Sequence, residues 1–118
     1  MTEESKGGSQ EITIEEFGKL RLITATIVDA APHPNADRLV VITIDVGEGR
    51  KKQIVAGIRA YYPVETLVGK TIVVVDNLVP ATLRGIRSEG MLLAVRTPDG
   101  GLALLTTDKA VPPGQRVS

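Results

Sequence analysis

Hydrophobic and polar positions alternate with a period of two along much of the chain, which predicts β-strands. The clearest stretch is residues 38–46. One predicted face there carries Val40, Ile42, Ile44 and Val46, and the other carries Leu39, Val41, Thr43 and Asp45. β-Branched residues dominate this stretch, as strands favour. Comparable runs predict further strands at residues 22–28, 53–56, 70–76, 91–96 and 102–106.

The segments between these runs carry turn and cap signals. Thr13 and Glu16 form a capping-box pattern ahead of Phe17, which predicts a turn or two of helix within residues 12–19. Residues 32–37 read as a proline-rich loop, and residues 47–49 as a hairpin turn. Residues 63–68 predict a short helix, with Pro63 at its start and Gly69 just past its end. Pro112 and Pro113 are expected to end regular structure.

About five short strands, with a short helix before the fourth, predict an all-β fold. We expect a five-stranded Greek-key barrel of the OB type with short helices and a C-terminal extension. A β-sandwich is the alternative, but it would more often need seven or more strands. Residues 12–118 provide this domain. Residues 1–11 are rich in Gly, Ser and Glu and are expected to be a disordered leader or linker.

Composition excludes several functional classes. The sequence has no Cys and a single His, His33, so neither a thiolate site nor a typical zinc site is expected. No nucleophile, phosphate-loop or metalloprotease motif occurs. His33 lies between two prolines and is interpreted as an exposed turn residue, not a general base. We therefore expect no catalytic residue, cofactor or metal. No apolar run suggests a membrane span, and a cytoplasmic protein is the simplest interpretation.

The basic residues are the better guide to function. Five of the 14 acidic residues but one of the 14 basic residues precede Phe17. The remainder therefore has 13 basic and nine acidic residues, and a formal charge of +4. The bases concentrate in predicted loops and turns, at Arg38, Arg50, Lys51, Lys52, Arg84 and Arg87. Such cations could contact phosphate, although a solvated charged surface is an open alternative.

Aromatic residues are scarce: the sequence has only Phe17, Tyr61 and Tyr62. Barrels that bind single strands commonly stack bases on several exposed rings. If the ligand is RNA, recognition of shape and backbone is therefore expected to dominate. Tyr61 and Tyr62 are predicted to pack the short helix against the barrel.

Four motifs, in order, resemble one known family. They are residues 32–39 (PHPNADRL), residues 53–58 (QIVAGI) followed by Tyr61-Tyr62, residues 67–75 (LVGKTIVVV), and the spaced positions Asn77, Leu78, Pro80, Leu83, Arg84, Gly85, Ser88, Gly90, Met91, Leu93 and Ala94. Together they resemble the tRNA-binding domain found at the C-terminus of bacterial methionyl-tRNA synthetases. The same domain occurs in free-standing tRNA-binding proteins and in endothelial monocyte-activating polypeptide.

The resemblance implies an OB barrel that binds tRNA with little sequence preference. It implies RNA contacts at Arg38, Ser88 and Met91, with Asn35, Arg84 and Arg87 nearby, and the charge pattern adds Lys51 and Lys52. One departure concerns the first strand, where Ile23 and Thr26 replace an Arg and a Lys of the family pattern. Weaker binding or an altered preference is a possible consequence.

The resemblance also implies partners. The module is expected to bind tRNA as the tail of a methionyl-tRNA synthetase or in trans to its catalytic part, and to form a homodimer. A homodimer is also suggested by residues 102–105, which are apolar on both faces of a predicted strand. Cover from Ile14 and Phe17 within one chain is the alternative. A rival function is a protein-binding module like the secretion chaperones of this fold, which would require an exposed apolar groove.

Overall fold

The structure is a computed structural model that describes residues 10–118. The predicted leader, residues 1–11, therefore lies almost wholly outside the described residues. A short helix, α1 (Ile14–Phe17), begins at the predicted cap. Glu16 donates its N–H to the Thr13 hydroxyl, and Thr13 donates its N–H to the Glu16 carboxylate, at 3.1 and 2.9 Å. Within residues 10–118, no helix has the length and apolar character needed to span a membrane.

Ten short strands and one 3-10 turn follow α1. The strands are β1 (Leu22–Pro32), β2 (Val40–Asp45), β3 (Lys51–Ala56), β4 (Thr71–Val75), β5 (Ala81–Leu83), β6 (Ile86–Ser88), β7 (Met91–Leu92), β8 (Ala94–Arg96), β9 (Leu102–Leu104) and β10 (Arg116–Val117). The 3-10 turn (Val64–Thr66) occupies the position of the predicted short helix before β4.

The main sheet is antiparallel and curls on itself, with the order β3-β2-β1-β4-β7 and with β10 beside the start of β1. A register shift between Ile27 and Asp29 bends β1, so its first half pairs with β4 and its second half with β2. The free edge of β3 bonds to the segment before β7, where Glu89 donates its N–H to the Gln53 carbonyl at 2.8 Å. The OB-type barrel prediction is confirmed, with β1 to β4 and the β6–β7 segment as its strands.

The core follows the period of two that the sequence shows. Val40, Ile42 and Ile44 are fully buried on the inner face of β2, while Val41 and Thr43 are half-buried on the other face. They pack with the inner residues of β1, β3 and β4 in one cluster. Each buried aliphatic side chain contributes roughly 1.5–3 kcal/mol to stability.

Three local predictions were wrong. The run at residues 91–96 is divided between β7 and β8, because residues 91–92 pair with β4 whereas residues 94–96 pair with β9. The predicted loop around Arg84 contains the β5–β6 hairpin. Regular structure also continues past Pro112 and Pro113, since β10 pairs with β1.

Thr24 holds the C-terminal segment that leads to β10. Its buried hydroxyl donates to the Pro112 carbonyl at 2.9 Å and accepts the Gln115 N–H at 3.0 Å. Gly114 crosses here so closely that an added Cβ would lie 2.6 Å from the Val46 carbonyl oxygen, and its φ is +85°. The segment that contains Pro112 and Pro113 therefore stays in contact with the barrel.

Candidate nucleic-acid interface

His33 joins two surface segments of the barrel. Its side chain is 3% exposed, so the predicted solvent-exposed turn residue is a buried one. Nδ1 accepts the Asn35 N–H at 2.9 Å, which places the ring proton on Nε2. Nε2 lies 3.0 Å from the Leu83 carbonyl oxygen and donates to it. The bond links the loop before β2 to the β5–β6 hairpin. The prolines that flank His33 in the sequence do not indicate this connection.

The loop before β2, residues 33–39, presents two of the predicted contacts. Asn35 and Arg38 are both exposed. The loop is closed by the His33 N–H, which donates to the Leu39 carbonyl at 3.0 Å. The backbone of Arg38 also accepts the Arg59 N–H at 3.4 Å. The two side chains therefore project from a backbone that is fixed at both ends.

The β5–β6 hairpin presents the next pair. Arg84 and Gly85 form its two-residue turn with φ angles of 50° and 91°, as a type I′ turn requires. Arg84 is exposed at the tip and Arg87 is exposed on β6. The Arg87 carbonyl accepts a hydrogen bond from the Gln53 side chain at 2.8 Å. The two arginines are thus carried by a paired element that is attached to β3.

Ser88 and Met91 lie in different surroundings. Ser88 is 5% exposed. Its hydroxyl accepts the Val55 N–H at 2.9 Å and donates to the Gly90 carbonyl at 3.0 Å. In this arrangement the hydroxyl fastens the barrel edge and does not face solvent. Met91 is 49% exposed and lines an apolar groove of about 250 Å³ together with Leu78, Val79 and Leu83.

Lys51 and Lys52 are at the opposite end of β3. Lys51 pairs with Asp45, whereas Ala56 pairs with Val40 next to the loop of Arg38. Lys52 donates to the Asp76 carboxylate at 2.7 Å, so its charge is already paired within the chain. The structure therefore places these lysines at the end of β3 that is far from the loop of Arg38. The position of Lys52 near a turn in the sequence does not reveal that it pairs with Asp76.

Asp76 is held by two bases. Burial raises the pKa of its carboxyl, but the hydrogen bonds and charges of Lys52 and Arg21 outweigh burial and leave the pKa below its ordinary value. The Arg21 Nε lies 3.2 Å from the same carboxylate. Lys52 and Arg21 thus serve the barrel's own stability at this end.

Two tyrosines that follow each other in sequence have different environments. Tyr62 is half-buried against the core, and its hydroxyl accepts the Leu104 N–H at 3.2 Å. The predicted packing role is confirmed for Tyr62. Tyr61 is 39% exposed and lies beside Arg38 and Arg96. Arg96 was missed by sequence reasoning, because only the pairing of β8 with β9 brings it to this place.

Ile23 and Thr26, which depart from the family pattern, lie on opposite faces of β1, because successive side chains of a strand alternate between its two faces. Ile23 is 1% exposed in the barrel core, and Thr26 is half-buried. In this chain the first of these positions contributes to packing. Its side chain is therefore not available to a ligand at the surface.

Comparison with known proteins places the chain in a family. The model of the family described as "Putative tRNA binding domain" matches residues 22–116. A methionine–tRNA ligase of Thermotoga maritima is 50% identical over 107 residues, covering 91% of this chain and 17% of that protein. The ligase of Methanocaldococcus jannaschii is 42% identical over 117 residues, covering 98% and 18%. The chain thus spans less than a fifth of the length of these relatives.

Solved structures agree with the sequence comparison. A MetRS related protein from Pyrococcus horikoshii superposes with a TM-score of 0.86 at 31% identity, over 93% of this chain and all of that one. The chaperone CsaA from Bacillus anthracis superposes with a TM-score of 0.82, also at 31% identity, over 92% of this chain and all of that one. The resemblance seen in the four sequence motifs is confirmed, and the chain belongs to the putative tRNA binding domain family.

Proposed function

We propose that the chain is a non-catalytic module that binds tRNA with little sequence preference. The observation that carries the proposal is the bond from His33 to Leu83. It joins the loop of Asn35 and Arg38 to the hairpin of Arg84 and Arg87. In OB folds, the loop between the first two strands and the loop after the fourth are the usual binding loops for oligonucleotides. Here those two loops carry three exposed arginines, Arg38, Arg84 and Arg87.

The charges suit a polyanion held by its backbone. Arginine guanidinium groups form forked hydrogen bonds with phosphate oxygens, and phosphate contacts position a nucleic acid without reading its sequence. Asn35 supplies a neutral donor and acceptor beside them. Within this proposal Ser88 positions the hairpin, Met91 offers an apolar contact to a sugar or base, and Lys51 and Lys52 stay outside the interface.

Salt dependence tests the proposal. Binding of bulk tRNA should weaken steeply as salt rises. It can be measured by filter retention between about 50 and 300 mM KCl. The log–log slope should be about −0.7 to −0.9 for each phosphate contact. No retention of tRNA at the lowest salt, or retention that is indifferent to salt, would refute the proposal.

Arg38→Ala should weaken tRNA binding by roughly 1.5–3 kcal/mol, the contribution of a charge-assisted hydrogen bond. Thermal unfolding should shift little, because exposed substitutions usually change stability by less than about 0.5 kcal/mol. Arg116→Ala is the matched control. Arg116 is exposed and pairs with Ile23 near the opposite end of β1 from Pro32. Equal losses in the two variants would show that Arg38 has no specific role.

In its cellular setting, we propose that the module acts in the cytoplasm as part of a methionyl-tRNA synthetase, or in trans to its catalytic part. There it would raise the affinity of the enzyme for tRNA. We also propose that two copies pair, which would let one tRNA contact both. The support is the identity to methionine–tRNA ligases and the exposed apolar residues of α1 and β8.

A second candidate function is binding of unfolded protein segments, and one observation favours it. The groove at Met91 is bordered by Val79, which is 88% exposed, and by Leu78 and Leu83. The solved chaperone CsaA shares the fold. Val79→Asp should abolish binding of an unfolded apolar peptide and spare tRNA binding. If the parent protein binds no such peptide, this candidate is excluded.

A further inference from the structure

A depression of about 440 Å³ lies beside the loop of Arg38. It is lined by Arg38, Gly57, Ala60, Tyr61, Arg96 and Leu102. Three separate elements meet there: the loop before β2, the turn after β3, and the β8–β9 hairpin. Its volume is within the range of roughly 300–1,000 Å³ that is usual for ligand sites.

The elements that form the depression are attached to one another. The turn after β3 is closed by the Tyr61 N–H, which donates to the Ile58 carbonyl at 2.9 Å. The Arg59 N–H donates to the Arg38 carbonyl at 3.4 Å and joins that turn to the loop. Arg96 and Leu102 are direct partners across β8 and β9. The lining side chains therefore start from fixed backbone positions.

The lining combines two kinds of chemistry. Arg38 and Arg96 bring two guanidinium groups, and the described lining includes no carboxylate. Tyr61 brings an aromatic ring that is 39% exposed. The other two aromatic residues of the sequence, Phe17 and Tyr62, pack against the hydrophobic clusters. Tyr61 is thus the most exposed of the three aromatic residues, since Phe17 and Tyr62 are half-buried.

We propose that this depression binds one unpaired nucleotide of an RNA, with its base on the Tyr61 ring and its flanking phosphates at Arg38 and Arg96. The inference rests on the proposed tRNA binding and adds a contact to it. Bases that are already stacked in a duplex cannot reach a lone ring, whereas bases of loops and ends can be splayed onto aromatic side chains. Two arginines on different elements suit two successive phosphates of one strand.

This geometry gives the arginines and Tyr61 different roles in binding. The arginines of the loop before β2 and of the β5–β6 hairpin bind the RNA backbone in paired and unpaired regions alike. The Tyr61 pocket distinguishes an RNA with accessible unpaired nucleotides from a blunt duplex. Sequence preference stays weak, because every base has a face that can stack.

The test compares three RNA probes by fluorescence anisotropy: a short single-stranded oligonucleotide, a blunt duplex of the same composition, and bulk tRNA. Tyr61→Ala should weaken binding of the single strand by about 5- to 150-fold, the usual effect of losing one stacked base. Binding of the blunt duplex should not change. Tyr61→Phe, which keeps the ring, should bind all three probes as the parent does.

Arg96→Ala should weaken binding of the single strand and reduce the magnitude of its log–log salt slope by about 0.7, the value for one phosphate contact. Arg116→Ala is the matched control and should leave the slope unchanged. Thermal unfolding of each variant checks that the barrel is intact. If Tyr61→Ala is unstable, Tyr61→Leu and Arg96→Ala give the same comparison.

The outcomes separate this inference from the proposed function. Suppose that the parent protein binds tRNA and that the Tyr61 and Arg96 variants bind the single strand as well as the parent does. That result would refute the nucleotide pocket, and the proposed tRNA binding would still hold. Equal losses for duplex and single strand in Tyr61→Ala also overturn the nucleotide pocket. Parent protein that binds no tRNA at any salt refutes the proposed function itself.

Discussion

Asp76 illustrates how single polar residues stabilise this barrel. Its side chain is 9% exposed and contacts Lys52 at 2.7 Å and Arg21 at 3.2 Å. The Lys52 amine also donates to the Asp76 carbonyl at 3.2 Å. Because Arg21 is about half exposed, solvent screens its share, and Lys52 is the principal partner. One carboxylate thereby fastens the end of β4 to β3 and to the residue before β1.

The depressed pKa of Asp76 predicts how stability depends on pH. Since its folded pKa lies below the ordinary value of 3.8, the folded state binds this proton less readily than the unfolded chain. The stabilisation is therefore complete above the unfolded pKa and is lost as pH falls through the folded pKa. Asp76→Asn should lower the unfolding temperature near pH 7, and the difference from the parent should shrink below about pH 4. A difference that persists unchanged at pH 3 would contradict this.

Thr24→Val tests the anchor of the C-terminal segment. The substitution keeps the side-chain shape but removes the hydroxyl that serves both Pro112 and Gln115. Two backbone groups lose their partners, so unfolding in urea should show a loss of about 1–3 kcal/mol. Thr26→Val, at a half-buried position two residues along β1, is the control and should change stability less. Equal losses would show that the hydroxyl contacts contribute little.

At the scale of elements, the interface depends on how two loops are joined. The loop before β2 and the β5–β6 hairpin are separated by the barrel strands in sequence, and His33 spans 50 residues to reach Leu83. The hairpin is itself attached to β3 through Gln53 and Ser88. The exposed arginines are thus presented by elements that are supported from both sides.

His33→Leu should disturb both stability and tRNA binding. Leucine fills much of the volume, but it leaves the Asn35 N–H and the Leu83 carbonyl without their partner. Loss of unfolding free energy should be about 1–3 kcal/mol. Affinity for tRNA should fall at a temperature where the variant is still folded, because the two loops are no longer held together. Unchanged tRNA affinity in the folded variant would show that the loops bind independently of this bond.

At the scale of the whole molecule, some apolar surface is left uncovered. Phe17 packs on Leu22, Val73 and Val75, but Ile14, which lies on the same face of α1, is 75% exposed. Val95 and Leu105 are 51% and 37% exposed. Cover of residues 102–105 by Ile14, the alternative within one chain, is therefore not what the structure shows.

We predict that the chain forms a symmetric homodimer through this apolar surface. Closed two-fold dimers are the commonest oligomers, and apolar patches left on a domain commonly mark contact sites. Light scattering at micromolar concentration should give about twice the chain mass. Ile14→Asp should reduce that mass to one chain, while Val68→Asp, at an exposed apolar residue after the 3-10 turn, should not. A mass near one chain at every concentration would overturn the prediction.

Features that depend on neighbouring residues follow from the sequence alone. The alternation at Val40, Ile42 and Ile44 specifies a buried strand face, because successive side chains of a strand point to opposite sides. Thr13 and Glu16 specify a helix start, since both bonds of the cap are local. The order of the four motifs also sufficed to identify the family.

Features that depend on distant residues follow only from the packing of the folded chain. That packing buries His33 against Leu83, pairs Lys52 with Asp76, and brings Tyr61 and Arg96 into the lining of one depression. A lysine near a turn has the same local pattern whether it faces solvent or a carboxylate. A histidine between prolines likewise gives no sign of a partner 50 residues away. The reason is physical: strand register and loop closure place these side chains, and both are set by the packing of the whole barrel.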